Sequence, residues 1–123
     1  MSVPPGRRNG RRIIVTDDNP TKLYALTQTL RDAGHCVFAA YDGESALELV
    51  VLLADVDLLI TNTRLGLVDG AELMRRTGGF RPDLPILHAS HDGMAVDTPA
   101  GVLTMSEPFS PNELLHAVRH LLA

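Results

Sequence analysis

The chain has 123 residues, of which 45% are hydrophobic and 21% charged, a balance typical of one globular domain and not of a disordered chain. No apolar run approaches the ~20 residues of a membrane-spanning helix, and the single cysteine, Cys36, excludes both an internal disulfide and a multi-cysteine zinc site. Because the opening residues also lack the apolar stretch of a secretory signal, we expect a cytoplasmic protein.

The net charge of −4 is unevenly distributed along the chain. Four arginines, Arg7, Arg8, Arg11 and Arg12, precede the first apolar run, and the remainder carries 7 basic and 15 acidic side chains. We therefore expect residues 1–11 to be a flexible basic arm and residues 12–123 to be the domain. An acidic domain repels nucleic acid, and although such an arm could touch phosphates, a solvated N-terminus is the simpler interpretation.

Short apolar runs alternate with helical patterns along the chain. Strands are predicted at residues 13–16, 36–40, 58–61, 85–89 and 102–105, with Cys36 buried in the second of them. Helices are predicted after Asn19-Pro20 and after a cap at Asp42 or Ser45, then at residues 71–76, where Gly78-Gly79 should end the helix. Five strands that alternate with helices predict an α/β fold: a doubly wound parallel sheet with helices on both faces.

The sequence predicts a helix much less clearly in residues 91–101 than in the segment that follows Ser110. Residues 91–101 show little helical periodicity, so the fourth helix should be short. By contrast, Ser110 and Glu113 flank Pro111 with the spacing of a capping box, which predicts the start of a final amphipathic helix.

Polar side chains stand where four of the predicted strands end. They are Asp17, Asp18, Asn62, Ser90 and Glu107. Binding sites of open α/β sheets lie beyond the carboxyl ends of the strands, so these residues are expected to form one pocket.

Five segments of the sequence, IIVTDDN, AAYDGESALELV, DLLITNTRLGLVDGAEL, LPILHAS and SEPFSPNELLHAV, resemble the successive signatures of a two-component response-regulator receiver domain. The resemblance runs from about Arg12 to the C-terminus. It implies a flavodoxin-like five-stranded fold, a role in phosphorelay signal transduction and a cis peptide bond between Glu107 and Pro108.

The resemblance also assigns a role to each residue of the expected pocket. Asp17 and Asp18 match the acidic pair that holds Mg²⁺ in the family. The phosphoacceptor aspartate is replaced by Asn62, and the lysine that precedes a Pro-Phe pair is replaced by Glu107. An amide is a very poor nucleophile, and Glu107 supplies an anion where a cation should meet the phosphoryl group. The sequence therefore predicts no catalytic residue and no enzyme.

Two further positions complete the comparison with the family. Ser90 matches the serine or threonine at the end of the fourth strand, and Thr104 stands at the position of the aromatic switch residue. Arg64 is the basic residue nearest in sequence to Asn62, and we expect it to fold over the carboxylates. The resulting degenerate pocket consists of Asp17, Asp18, Asn62, Arg64, Ser90 and Glu107. No cofactor is expected, apart from at most a weakly bound Mg²⁺ ion on Asp17, Asp18 and Asn62.

The function predicted from these residues is that of a stand-alone pseudo-receiver, a protein-interaction module that works without phosphorylation. Its partner should be a protein of a signalling pathway, and neither a membrane nor a nucleic acid is expected. Two alternatives stay open: an active phosphorelay receiver that uses another acceptor, such as Asp17 or Asp18, and a small-ligand or metal sensor that uses the acidic pocket.

Overall fold

Five parallel strands form the central sheet of the structure, a computed structural model that describes residues 10–90 and 98–123. Along the chain the elements are β1 (Arg12–Thr16), α1 (Pro20–Asp32), β2 (Cys36–Ala40), α2 (Gly43–Leu52), β3 (Leu58–Asn62), α3 (Gly70–Phe80), β4 (Ile86–Ser90), β5 (Val102–Ser106) and α4 (Pro111–Leu122). The strands lie in the order β2-β1-β3-β4-β5. The predicted doubly wound, flavodoxin-like fold is confirmed.

Helices cover both faces of this sheet, because its inner strands are apolar on both sides. On one face Ile13 and Val15 of β1 pack with residues of α1 and α4, and on the other face Ile14 packs with residues of α2 and α3. All five residues of β3 are buried, as expected for a strand at the centre of a parallel sheet. In the part of the chain that the structure describes, no helix is both long and apolar enough to cross a membrane.

Side chains at the start of each helix satisfy backbone N–H groups that have no partner within the helix. Asn19 accepts from the N–H groups of Thr21 and Lys22, and Asp42 and Asp69 cap α2 and α3 in the same way. The predicted capping box of α4 is present, with both of its reciprocal hydrogen bonds. These caps place the N-terminal ends of the helices at the edge of the sheet where the strands end.

The predicted end of α3 at Gly78-Gly79 is wrong, because the helix continues to Phe80. Neither glycine adopts the left-handed conformation that ends many helices. The helix ends instead at its C-cap residue Arg81, whose backbone is no longer helical (φ −138°, ψ 74°) and which precedes Pro82, a context that disfavours helical backbone. The Arg81 guanidinium also donates hydrogen bonds to the carbonyl oxygens of Leu53 and Val56 and so fixes this corner of the fold.

Two other predictions made from the sequence need correction. Cys36 is exposed and not buried, because β2 is an edge strand of the sheet and Cys36 is its first residue. Arg11, which the sequence assigned to the arm, is bound to the domain: its N–H donates to His35 Nδ1 (3.0 Å) and its guanidinium donates to the carbonyl oxygen of Leu122 (3.2 Å). Residues 1–9 of the predicted arm lie outside the described residues, as do residues 91–97, on which the predicted short fourth helix falls.

Gly70, the first residue of α3, packs directly against the end of β3. A Cβ atom at this position would lie 2.1 Å from the carbonyl oxygen of Asn62, closer than any side chain can approach. The Gly70 N–H also donates to the carbonyl oxygen of Thr63 (3.0 Å). This close approach holds the start of α3 against the strand that carries Asn62.

We predict that Gly70→Ala lowers the free energy of unfolding by about 1–3 kcal/mol, because the added methyl group meets fixed backbone atoms. The matched control is Gly79→Ala in the same helix, where nothing lies within 4 Å of the added carbon. That substitution should leave stability unchanged or raise it by up to about 1 kcal/mol through helix propensity. Urea denaturation of both variants measures the difference, and equal stabilities would contradict the prediction.

Candidate functional site

The polar residues that follow the strands meet at the carboxyl edge of the sheet. Asp17 follows β1, Asn62 ends β3, Ser90 ends β4 and Glu107 follows β5. Asp17, Asn62 and Ser90 are all buried, and Glu107 is partly buried. Neighbouring parallel strands bring their ends to one edge, and this is why residues far apart in sequence lie together here.

The side-chain amide of Asn62 lies at the centre of this cluster. Its Nδ2 donates to Asp17 Oδ2 at 3.1 Å and to Glu107 Oε1 at 3.4 Å. Its Oδ1 accepts a hydrogen bond from the N–H of Thr63 at 2.6 Å. Both hydrogens of the amide therefore point to carboxylates, and its oxygen is held by the backbone.

Lys22, for which no role was predicted from the sequence, supplies positive charge to the cluster. Lys22 Nζ lies 3.1 Å from Glu107 Oε2, an ion pair in which the lysine side chain is 37% exposed and the glutamate side chain 16% exposed. Lys22 occupies the first turn of α1, and its N–H donates to Asn19, the cap of that helix. The sequence offers one indication of this role. Lys22 lies in the first turn of the helix that follows β1, and such a helix begins at the carboxyl edge of the sheet.

The remaining two residues of the predicted pocket, Asp18 and Arg64, are both exposed. The structure pairs Glu107 with the ammonium of Lys22. Of the predicted acidic pair, Asp17 alone is buried and hydrogen-bonded to Asn62.

The oxygen atoms of the cluster are already engaged by hydrogen-bond donors. Asp17 Oδ1 accepts from the N–H of Asn19 at 2.9 Å, while Asp17 Oδ2 and Asn62 Oδ1 have the partners described above. Mg²⁺ prefers oxygen ligands in octahedral geometry and is usually held by one or two carboxylates together with water. The Lys22 ammonium beside Glu107 and the uncharged Asn62 amide lower the negative charge of the cluster, which disfavours tight binding of a divalent cation.

Glu107 is held in place by the pairing of the last two strands. Ser90 and Ser106 are partners in the β4–β5 register, and the Glu107 N–H donates to the carbonyl oxygen of Ser90 at 2.9 Å. The peptide bond between Glu107 and Pro108 is cis, as the resemblance implied. The pairing of β4 with β5 thus places the Glu107 side chain within hydrogen-bond distance of Asn62.

A buried histidine, His88, lies in β4 close to the cluster. His88 is fully buried in β4, with Nε2 2.8 Å from Thr63 Oγ1 and Nδ1 3.4 Å from Thr104 Oγ1. Burial lowers its pKa below the ordinary value of 6.5. The signal in the sequence was a ring with two polar nitrogens inside an otherwise apolar strand.

His88 therefore connects the predicted switch position to the site. Thr104 is exposed on β5, and its hydroxyl contacts the imidazole, which in turn contacts Thr63. Thr63 donates its N–H to Asn62. The hydrogen bonds of His88 and Thr63 thus link Thr104 on the surface of β5 to the amide at the centre of the cluster.

Comparison with known proteins identifies a family and several relatives. The model of the response regulator receiver domain matches residues 13–119. The transcriptional regulatory protein TcrA of Mycobacterium tuberculosis is 31% identical over 121 residues, which cover 94% of this chain and 47% of TcrA. The response regulator MprA of the same species is 31% identical over 116 residues, covering 90% of this chain and 50% of MprA. The chain thus spans about half the length of these curated relatives.

Solved structures agree with the fold. A CheY-like response regulator receiver domain protein from Methanospirillum hungatei superimposes with a TM-score of 0.85 at 21% identity, over 92% of this chain and 94% of that one. A response regulator receiver protein from Sinorhizobium medicae gives a TM-score of 0.83 at 28% identity, over 92% and 94% of the two chains.

The ion pair between Lys22 and Glu107 can be measured with a double-mutant cycle of Lys22→Met and Glu107→Gln. Because Lys22 is partly exposed, we expect a modest favourable coupling, about 0.5–1 kcal/mol, in the free energy of unfolding at low salt. The coupling should shrink in 1 M NaCl as the charges are screened. Strictly additive effects of the two substitutions at low salt would contradict the pairing.

The buried imidazole predicts a dependence of stability on pH. Because burial lowers the folded-state pKa of His88, the unfolded state binds the proton more readily. The contribution of His88 is therefore fully present above about pH 6.5 and is lost as the pH falls towards the folded-state pKa. The free energy of unfolding, measured by urea denaturation from pH 8 to pH 5, should fall more steeply for the wild type than for His88→Gln.

His35→Gln is the control for this experiment. Burial and the neighbouring Arg11 lower the pKa of His35 as well, so this variant shows how much of the slope comes from that second imidazole. Parallel stability curves for the wild type and His88→Gln would show that His88 does not titrate on unfolding in this range.

Proposed function

The chain belongs to the response regulator receiver domain family, and from that membership we propose that it is a pseudo-receiver, a protein-interaction module of two-component signalling that works without phosphorylation. One observation carries the proposal: the Asn62 amide stands at the acceptor position and donates to the carboxylates on either side of it.

The chemistry of phosphoryl transfer explains why this arrangement matters. Transfer to an aspartate needs an anionic oxygen in line with the donor and cations around the equatorial oxygens of the phosphoryl group. Asn62 offers an uncharged amide whose oxygen is already bonded to the Thr63 N–H. Glu107 adds a negative charge at the point where a donor such as acetyl phosphate would bring several more.

The cluster is also complete without a ligand. Asp17 is bonded to Asn62 and to the Asn19 N–H, and Glu107 is bonded to Asn62 and Lys22. Each buried or partly buried carboxylate therefore has donors from the chain itself. This supports a domain that keeps one arrangement of its site and contributes to signalling through binding alone.

The proposed partner is a protein of a signalling pathway. The relatives that support this are a transcriptional regulatory protein and a response regulator, each about twice as long as the matched region. The proposal concerns the receiver-like region alone.

The alternative function is that of an active receiver with a different acceptor, either Asp17 or Asp18. Of these two residues, Asp18 is the better candidate. Asp17 is 1% exposed, and both of its oxygens accept hydrogen bonds, so an incoming phosphoryl group has no access in line with either. Asp18 is exposed and would have to act as the acceptor. The alternative of a sensor that binds a small ligand or a metal requires the cluster to give up the hydrogen bonds just described.

We predict that the wild-type chain gains no phosphoryl group when it is incubated with acetyl phosphate and Mg²⁺, as measured by intact-protein mass spectrometry. Asp18→Asn serves as the control for the remaining exposed carboxylate. A stable phosphoryl adduct on the wild type would overturn the proposed function, and its loss in Asp18→Asn would assign the acceptor to that residue.

A second experiment tests whether phosphorylation is restored when the nucleophile and the cation are put back. Asn62→Asp restores the nucleophile but leaves Glu107 beside it, so this variant should label poorly. Asn62→Asp combined with Glu107→Lys also supplies the cation and should label at least about tenfold faster, since one well-placed charge has an effect of that order or larger. Equal labelling rates for the two variants would show that Glu107 is not a barrier.

The binding half of the proposal is tested by affinity capture with the purified chain. The same signalling protein should be retained whether or not acetyl phosphate is present. A partner that is retained after phosphodonor treatment but not before it would contradict binding that is independent of phosphorylation.

A further inference from the structure

Two histidines, His116 and His120, lie on the same face of α4. They are four positions apart, so their Cβ atoms are separated by about 5–6 Å, one turn of the helix. Both residues are exposed. Two imidazole rings at this spacing can direct one nitrogen each to a common point, and helices bind transition-metal ions in this way. The pair therefore offers two ligands to one metal ion.

The hydrogen bonding of these two imidazoles differs from that of the other histidines in the described part of the chain. His35 Nδ1 accepts the N–H of Arg11, and both ring nitrogens of His88 lie within hydrogen-bond distance of threonine hydroxyls. Within residues 10–90 and 98–123, neither His116 nor His120 has a hydrogen-bond partner. In a neutral imidazole the nitrogen that carries no proton is a metal ligand, and here nothing in those ranges occupies it.

The pair lines a groove between α4 and β5, an edge strand of the sheet. The groove has a volume of about 580 Å³, and its other side is formed by Leu103 and Met105 of β5. Both of these side chains pack on the face of the sheet that α4 covers. Met105 is partly buried, and its unbranched side chain can adapt the position of its sulfur to a neighbouring group. One thioether and two imidazoles therefore line the same groove.

This set of donors favours copper over other metal ions. Thioether sulfur is a soft ligand that selects Cu(I), and imidazole also binds copper. Zinc sites in proteins are built from thiolate, imidazole and carboxylate groups, and Mg²⁺ and Ca²⁺ bind oxygen ligands. Cu(I) also forms stable complexes with few ligands, so a site with three donors at the protein surface is sufficient for it.

The other metal-binding groups of the described chain do not form a competing site here. The described residues contain no group of three histidine, cysteine, aspartate or glutamate side chains that could hold a metal ion. Glu113 lines the groove, but its Oε1 accepts the N–H of Ser110 in the capping box. Its negative charge still favours a cation nearby. The exposed thiol of Cys36 belongs to β2, at the opposite edge of the sheet from β5.

We propose that His116, His120 and Met105 bind one Cu(I) ion in the groove between α4 and β5. The ion joins the helix to the edge strand, so its binding stabilises the folded chain. The site shares no residue with the Asn62 cluster. The proposal is therefore independent of the pseudo-receiver function, and either one can fail without the other.

Competition for Cu(I) tests whether the chain binds this ion. The full chain carries Cys36→Ser, because the exposed thiol would also bind Cu(I). It is titrated without oxygen, in the presence of ascorbate, into the coloured complex of Cu(I) with the chelator ferrozine. The absorbance of the complex should fall until one Cu(I) ion per chain has been transferred. An unchanged absorbance would overturn the proposal.

Substitution of the histidines tests where the ion is bound. His116→Gln and His120→Gln should each weaken Cu(I) binding by at least about tenfold, because even residues that only orient a ligand contribute that much. His35→Gln is the control, since it removes a histidine outside the groove, and it should leave the affinity unchanged. Equal affinities of the wild type and both groove variants would place the ion elsewhere and overturn the proposal.

Met105→Leu tests the contribution of the thioether. Leucine has a similar volume and no donor atom, so the Cu(I) affinity should again fall by about tenfold or more. The affinity for Ni²⁺, an ion that binds imidazole, should not change. Met74→Leu, at a fully buried position of α3, is the control and should affect neither ion. An unchanged Cu(I) affinity in Met105→Leu, or an equal loss for both ions, would overturn the role of the sulfur.

Nuclear magnetic resonance gives a direct view of the ligands, because Cu(I) is diamagnetic and leaves nearby signals visible. Addition of Cu(I) to the Cys36→Ser chain should shift the methyl signal of Met105 and the ring signals of His116 and His120. The methyl signal of Met74, which does not line the groove, should stay in place. Shifts that leave out Met105 and both histidines of α4 would overturn the proposed site.

Discussion

The two N–H bonds of the Asn62 side chain hold together the ends of three strands. One points to Asp17 after β1 and the other to Glu107 after β5, while Asn62 itself ends β3. An amide can make both bonds because it is a double donor, whereas a carboxylate at the same place would be a third negative group among acceptors. Asn62 in place of the family's aspartate and Glu107 in place of its lysine are therefore parts of one arrangement. Glu107 is accommodated because its neighbour is an amide. Lys22 completes the arrangement from α1 by pairing with the other oxygen of Glu107.

The same amide is the end point of a second set of contacts that lies deeper in the sheet. Its oxygen is bonded to the Thr63 N–H, the Thr63 hydroxyl contacts His88, and His88 contacts Thr104 on the surface of β5. Buried polar groups are stable in an apolar layer only when they are paired, and His88 meets that requirement with a hydroxyl on either side. Thr104 thus contacts the site through its hydrogen bond to His88. The family resemblance would place a large aromatic ring at this position instead.

Patterns that depend on neighbouring residues were predictable from the sequence. The alternation of strands and helices, the capping box at Ser110 and the convergence of Asp17, Asn62, Ser90 and Glu107 all follow from local chemistry and from the rule that parallel strands end at one edge. What was missed depends on how elements are placed. The exposure of Cys36 follows from the edge position of β2 in the sheet order, which the residues of β2 do not encode. Lys22 reaches Glu107, 85 positions away, because the first turn of α1 and the residue after β5 both lie at the carboxyl edge of the sheet, and no spacing in the sequence indicates that contact. The extension of α3 through Gly78 and Gly79 was also not predictable from residue types alone. A glycine pair ends a helix only where the backbone turns left-handed, and these two glycines do not.

The position of β1 has a consequence for how the chain is made. β1 leaves the ribosome before the other four strands of this sheet, yet it lies inside the sheet, where Arg12 is opposite Cys36 of β2 and Ile13 is opposite Leu58 of β3. Its partners are thus synthesised 24 and 45 residues later. Helices form from local contacts in microseconds, whereas these pairings must wait for the chain between them and for closure of the loop. During translation the apolar run of Ile13, Ile14 and Val15 stays without its second partner until β3 has emerged, so the centre of the sheet can form only after Leu58–Asn62 has been synthesised.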